Sequence, residues 1–314
     1  MFAFVIRRSL SALATLVIVS VLVFSVLHAI PGDPALIILG PEASPSQIEN
    51  LRREMNLDRP LWRQYLSWIG GVFRGNFGES ITYEVPVGGL ILDRLSVTLP
   101  LVLLSLVLSL IVAIPLGMLA AAGRGGFVDW FISLFGQLGL ATPSFWLGLL
   151  LISFFAVYLD LFPSGGFVEW AESPWGALFH LLLPALSMAA VWAAELSRMV
   201  RSKALDVFNE MYVQVARAKG VAEFTVVFAH VLKNVLIETL TVVGLQVGRI
   251  VAGTIIIEQV FVLPGLGKLL LTGVWSRDFP LVQLAVMFVS LFIVIISLGV
   301  DMLYGLLDPR IRVQ

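Results

Sequence analysis

Leu95–Gly123, LSVTLPLVLLSLVLSLIVAIPLGMLAAAG, runs for 29 residues without an Asp, Glu, Lys or Arg. The hydrocarbon core of a bilayer asks for about 20 consecutive apolar residues per helix. Comparable uncharged stretches lie on both sides. Ser9–Ile30 is 22 residues long, Trp130–Leu159 is 30, and Ser173–Ala194 and Phe279–Val300 are 22 each. A sixth, about Thr239–Ile257, is interrupted only by Arg249. Lipid offers backbone N–H and C=O groups no partner, so each stretch must close its hydrogen bonds as a helix. The expectation is an all-α polytopic membrane protein with six transmembrane helices, forming a single domain over residues 1–314.

Composition agrees. Of 314 residues, 59% are hydrophobic and 13% charged, with a mean hydropathy of +0.97. Soluble domains carry about 25% charged residues. A net charge of −1 makes no electrostatic case for nucleic acid. The chain has no cysteine, which excludes disulfides and thiolate metal sites. Arg7 and Arg8 precede the first span. That span is longer than a signal-peptide core and no Ala-x-Ala site follows, so the pair reads as an orientation signal.

Six spans place both termini on one side. Basic residues cluster after the fourth span at Arg198, Arg201, Lys203, Arg217, Lys219 and Lys233. Cytoplasmic connections carry such an excess, so this loop and both termini are expected in the cytoplasm. Residues 31–94 then form a long external segment. Within it, Ser46–Met55 is expected as a short helix capped by Ser44 or Ser46. Leu61–Phe73 is expected as an amphipathic helix with Trp62, Tyr65, Leu66 and Trp68, lying on the membrane interface or docking an external partner. Pro143 and Pro184 fall inside spans three and four, where proline usually kinks a helix.

The cytoplasmic loop, about residues 203–236, carries a helix signal. Asn209 can cap, Glu210 sits in the first turn, and Arg217 and Lys219 sit in the last, as the helix dipole prefers. Gly220 can take the left-handed geometry that ends a helix. Met211, Val215 and Ala218 share one face. The result is a helix of about ten residues, or about 15 Å, with an apolar ridge and a cationic tip suited to a groove on another protein.

The order Tyr212-Val-Gln-Val-Ala-Arg-Ala-Lys-Gly220 resembles the cytoplasmic coupling loop of ABC-transporter permeases, most closely the dipeptide/oligopeptide/nickel branch. The likeness extends along the chain. It includes His28-Ala-Ile-Pro-Gly-Asp-Pro34, Gly75-Asn-Phe-Gly-Glu-Ser80, Pro143-Ser-Phe-Trp146, Leu183-Pro-Ala-Leu186, Phe261-Val-Leu-Pro-Gly-Leu-Gly267, Arg277-Asp-Phe-Pro280 and Asp301-Met-Leu-Tyr-Gly305 followed by Asp308-Pro-Arg310. Lys233 after Leu232 fits the peptide branch. Glu238 stands where that branch tends to have proline. The resemblance implies a non-catalytic permease subunit of an importer for di- or oligopeptides, with nickel chelates, glutathione or other small solutes as alternative cargo. It implies a homologous second permease, two cytoplasmic ATPase subunits that hold ATP and Mg, an extracytoplasmic binding protein and a lipid environment. Contacts with the ATPases are expected at Glu210, Met211, Tyr212, Val215, Ala216, Arg217, Ala218, Lys219 and Gly220.

Ionisable residues inside membrane spans usually face a bundle interior or a water-filled path. Arg249 either lines such a path and meets a cargo carboxylate, or pairs with Glu195, Glu238 or a partner subunit. Glu258, near the outer end, is expected to be interfacial. His28, His180 and His230 are scattered, without metal-ligand spacing. Gly267-Lys268 lacks the glycine of a phosphate loop, so no cofactor is expected on this chain. An ion-driven secondary transporter would call for inverted repeats and midplane ion ligands. An intramembrane enzyme would call for a nucleophile–base pair or a metal cluster. The sequence displays neither set.

Overall fold

The computed structural model describes residues 2–29, 34–40, 43–54 and 57–307. All named elements among them are helical; the only strand-like feature is an isolated bridge between Glu79 and Pro86. Four helices lie before the central bundle: α1 (Phe2–Ala29), α2 (Pro34–Leu39), α3 (Pro45–Glu54) and α4 (Leu61–Phe73). The bundle comprises α5 (Val87–Ala122), α6 (Phe127–Ala141), α7 (Ser144–Leu151), α8 (Pro174–Phe208), α11 (Leu232–Val260) and α13 (Phe279–Leu307). Two short helices, α9 (Met211–Ala218) and α10 (Glu223–Thr225), join α8 to α11, and α12 (Leu266–Trp275) joins α11 to α13. The expected short helices over Ser46–Met55 and Leu61–Phe73 correspond to α3 and α4, with Met55 outside the described residues. Residues 30–33 of the His28–Pro34 motif and the closing Asp308-Pro309-Arg310 are also outside them.

Among the described residues, five helices are long and apolar enough to cross a membrane, and six crossings result if α6 and α7 count as one. Within the expected span over Trp130–Leu159 the two halves meet at 101°, far sharper than an ordinary proline kink. Pro143 is the cause. It lacks an N–H and disfavours helical geometry at the residue before it, and Thr142 is extended at φ −98°, ψ 120°. Past α7, residues Ile152–Tyr158 widen into a π-helix. Pro184 interrupts nothing so sharply, since α8 runs through it.

Both expected loop boundaries also shift. Residue 87 already begins α5, so the last residues of the 31–94 segment are helical. On the other side α8 continues to Phe208, and a π-helical turn over Val226–Val231 leads into α11 at Leu232. At 35 residues, α8 is about 52 Å long. It outruns the hydrocarbon core and carries its last turns beyond it.

The main core lies where α5, α8 and α11 meet, around Leu101, Leu181, Met188, Ile250, Ile257 and Phe261. Small residues let the helices close. A methyl group at Gly117 would sit 2.6 Å from the Ser197 carbonyl oxygen, and one at Gly139 would sit 2.4 Å from Ala194 Cβ. Either is below any real carbon contact, so α5 and α6 approach α8 at distances that only glycine permits there. An ion pair adds to this: Arg201 of α8 donates from Nε and Nη2 to the buried Asp129 of α6, which also accepts from the Gly125 N–H at 2.9 Å.

Candidate functional site

The residues between α8 and α11 form a compact unit whose two faces differ. Asn209 does not cap α9 as expected. It closes α8, its N–H bonded to the Asp206 carbonyl, because α8 runs further than the charge pattern suggests. Glu210 takes the extended cap position, φ −66°, ψ 142°, and its carbonyl accepts from Val213 and Gln214. The other end follows the expected chemistry. Gly220 is left-handed at φ 79°. The Val221 N–H reaches the Ala216 carbonyl at 3.2 Å and the Gly220 N–H the Arg217 carbonyl at 2.9 Å. This pair of bonds is the Schellman closure.

Val213, 0% exposed, and Ala216, 9%, anchor α9 in a small core with Val200, Ala204, Val226 and Val231. On the other face, Met211 is 78% exposed, Val215 45% and Tyr212 44%. Ala218 is exposed too. Of the expected contact residues, Ala216 therefore faces inward, while the Met211, Val215 and Ala218 ridge is open. The cations divide in the same way. Arg217 pairs with Glu223 and lies 5.0 Å over the Phe208 ring, so it is engaged within the unit. Lys219 at the tip has no ion pair among the described residues. Tyr212 Oη accepts from Asn234 Nδ2 at 2.8 Å, tying α9 to the start of α11.

Arg249 and Glu195 come together across α11 and α8, Nη1 to Oε1 3.2 Å. The contact is single, and 64% of the Arg249 side chain is exposed. Glu238 does not join them; it pairs with Lys203 at 2.6 Å, nearer the α9 end. Glu258 lies near the end of α11 and is enclosed by protein. It is 0% exposed, accepts from Thr98 Oγ1 at 2.6 Å and from the Lys268 N–H at 2.9 Å, and so holds the start of α12 against α5.

Several motif residues singled out in the sequence meet at the end of the bundle opposite α9. Asp278, fully buried, accepts from Ser80 Oγ at 2.5 Å, from the Thr82 N–H at 3.0 Å and from the Leu281 N–H at 3.2 Å. The Gly75–Ser80 and Arg277–Pro280 motifs are thus two halves of one contact. The Asp129–Arg201 pair was missed; an acid three residues after the Gly125-Gly126 turn, at the head of a span, was its available signal.

Residues 113–313 match the family described as binding-protein-dependent transport system inner membrane component, and residues 1–102 match that family's N-terminal segment. The chain belongs to this family and is a multi-pass transport permease subunit. It is 40% identical to the glutathione transport system permease protein GsiC of Escherichia coli, over 99% of both chains. It is 38% identical to the oligopeptide transport system permease protein AppB of Bacillus subtilis, over 99% of this chain and 100% of that one. Among solved structures, the inward-facing MetNI methionine ABC transporter aligns with a TM-score of 0.58 at 16% identity, covering 71% of this chain and 98% of that chain. At that identity the likeness concerns the fold.

Proposed function

We propose that this chain forms half of the translocation path of an ATP-driven importer for di- or oligopeptides, paired with a homologous permease. Two cytoplasmic ATPases take hold of α9, and an extracytoplasmic binding protein delivers cargo to the opposite end. Both termini and the α9 unit face the cytoplasm in this arrangement. The observation that carries it is the division of α9 into a face locked to the bundle and an apolar ridge left open. A helix packed on one side and bare on the other suits insertion into a partner's groove. With α8 continuous into the unit, displacement of α9 becomes displacement of the spans. ATP and Mg belong to the partners, and coupling between the sites travels through this contact.

Peptide cargo follows from the relatives' names and from chemistry inside the bundle. A guanidinium as exposed as Arg249 does not face lipid without a large cost; in the assembled importer it lines the path, loosely held by Glu195, where a cargo carboxylate can compete for it. Glu238, engaged by Lys203, sits at the cytoplasmic mouth of that path. The experiment is co-purification with the ATPases. Lys219→Glu, at a position with no ion pair among the described residues, is expected to weaken their retention and uncouple hydrolysis from uptake. Full retention with normal coupling would remove α9 from the contact.

A further inference from the structure

A cavity of about 300 Å³ lies at the end of the bundle opposite α9, between α1, α4 and the start of α13. Its walls are held in place independently of any ligand. Ser20 and Tyr65 share a hydrogen bond of 2.8 Å, and the Phe24 ring packs on Tyr65 and Trp68. Among the described residues, no Lys, Arg, Asp or Glu lines it. Its polar groups are neutral amides, an indole, a hydroxyl and an imidazole.

Gln283 decides what the cavity is for. Its side chain is only 6% exposed, yet it makes no hydrogen bond among the described residues, and no fully enclosed polar atom there lacks a partner. Its amide therefore opens into the cavity. Reachable from the cavity and without a partner among the described residues, the amide is free to pair with a ligand through both its oxygen and its nitrogen. Around it stand further unused groups. Asn76 accepts from the Gly78 N–H through Oδ1, leaving Nδ2 to donate. Gln64 donates from Nε2 to the Leu57 and Arg59 carbonyls, leaving Oε1 to accept. His28 stacks on Phe24 with its Nδ1 2.8 Å from the Phe24 carbonyl. A carbonyl can only accept, so Nδ1 carries a proton and Nε2 of the neutral ring is an acceptor. The Trp68 indole N–H has no partner among the described residues.

The geometry points to a binding site for uncharged peptide backbone, and, on the reading of peptide import above, to an accessory site that receives cargo at the external face. Neutral donors and acceptors beside aromatic side chains suit a peptide group and its apolar side chain. The absence of a fixed cation or carboxylate disfavours phosphate and ammonium groups. The volume is at the small end of ligand sites, about 300–1,000 Å³, and takes one or two residues of a longer chain.

The test uses the full chain in nanodiscs and an N-acetylated, C-amidated tripeptide, Ala-X-Ala, with a diazirine side chain at X, mapped by mass spectrometry after irradiation. Adducts are expected in the segments around Trp68–Phe77 and Phe279–Gln283, displaced by excess tri-alanine capped in the same way. Gln283→Leu is expected to reduce them about fivefold, as is His28→Phe, which keeps the ring stack at an exposed position and so tests the site even if the Leu variant misfolds. Adducts that are not displaced, that ignore both substitutions, or that fall only around Arg249 would overturn the site. Protection of the cavity by the binding protein without any tripeptide adduct would also overturn it and assign the cavity to a partner loop. Uptake by the complete importer is scored separately. Labelling without peptide uptake keeps the site and removes the cargo reading; uptake without labelling does the reverse.

Discussion

Truncating the open ridge of α9 separates its role as a contact from its role in the fold. In Met211→Ala/Val215→Ala the groups lost lie beyond Cβ: three from Met211, 78% exposed, and two from Val215, 45% exposed. Burial in a partner is worth about 0.8 kcal/mol per methylene-sized group. Scaled by those exposures, the pair contributes about 2.5 kcal/mol to the interface, or roughly a 70-fold change in ATPase affinity. The chain's own stability should change by less than about 0.5 kcal/mol, as for most exposed substitutions. Val213→Ala is the mirror experiment. Val213 is fully buried in the small core under α9, so its truncation should cost about 1–2 kcal/mol of stability through lost burial and the cavity left behind. Affinity is measured by titrating the ATPases onto the chain in nanodiscs, and stability by thermal unfolding of the same samples. If the double variant binds within twofold of the parent, the ridge is not the contact. If it loses stability instead, α9 buries the face described here as open.

Arg249→Ala is expected to lower peptide uptake about tenfold while the subunits still assemble, since its single bond to Glu195 holds little together. Unchanged uptake would take Arg249 out of the path. Asp278→Ala leaves Ser80, Thr82 and Leu281 each short of an acceptor; its cost should be about 3–4 kcal/mol, combining a lost cap with buried unpaired donors. Asp278→Asn, which keeps one acceptor oxygen, should recover part of that loss. A stability change below about 1 kcal/mol in the Ala variant would mean that the buried contact contributes little.

Local chemistry was readable from the residues; distant pairing was not. The uncharged windows found the apolar helices because lipid leaves the chain no alternative. Gly220 and the Met211, Val215, Ala218 stripe were legible because a helix end and a helix face are fixed within a few residues. Asn209 misled, because its capping propensity was outweighed by the packing that extends α8. The kink at Pro143 was legible but its size was not, since an angle depends on what the second half packs against. Glu258 and Asp278 were out of reach for a different reason. Their hydroxyl partners Thr98 and Ser80 lie 160 and 198 residues away, and no periodicity reports such a meeting. The Gln283 cavity likewise joins three elements that only the folded chain brings together.

The glycines at 117 and 139 have a mechanical corollary. Where Ser197 and Ala194 fill the space a methyl would need, neighbouring rods have no slack in which to slide, and the Asp129–Arg201 clasp pins α6 to α8 as well. Any push arriving from below must tilt α5, α6 and α8 together, like a plank. The yielding joints then have to lie elsewhere, at the crease before Pro143 and in the widened turn over Val226–Val231 that leads into α11.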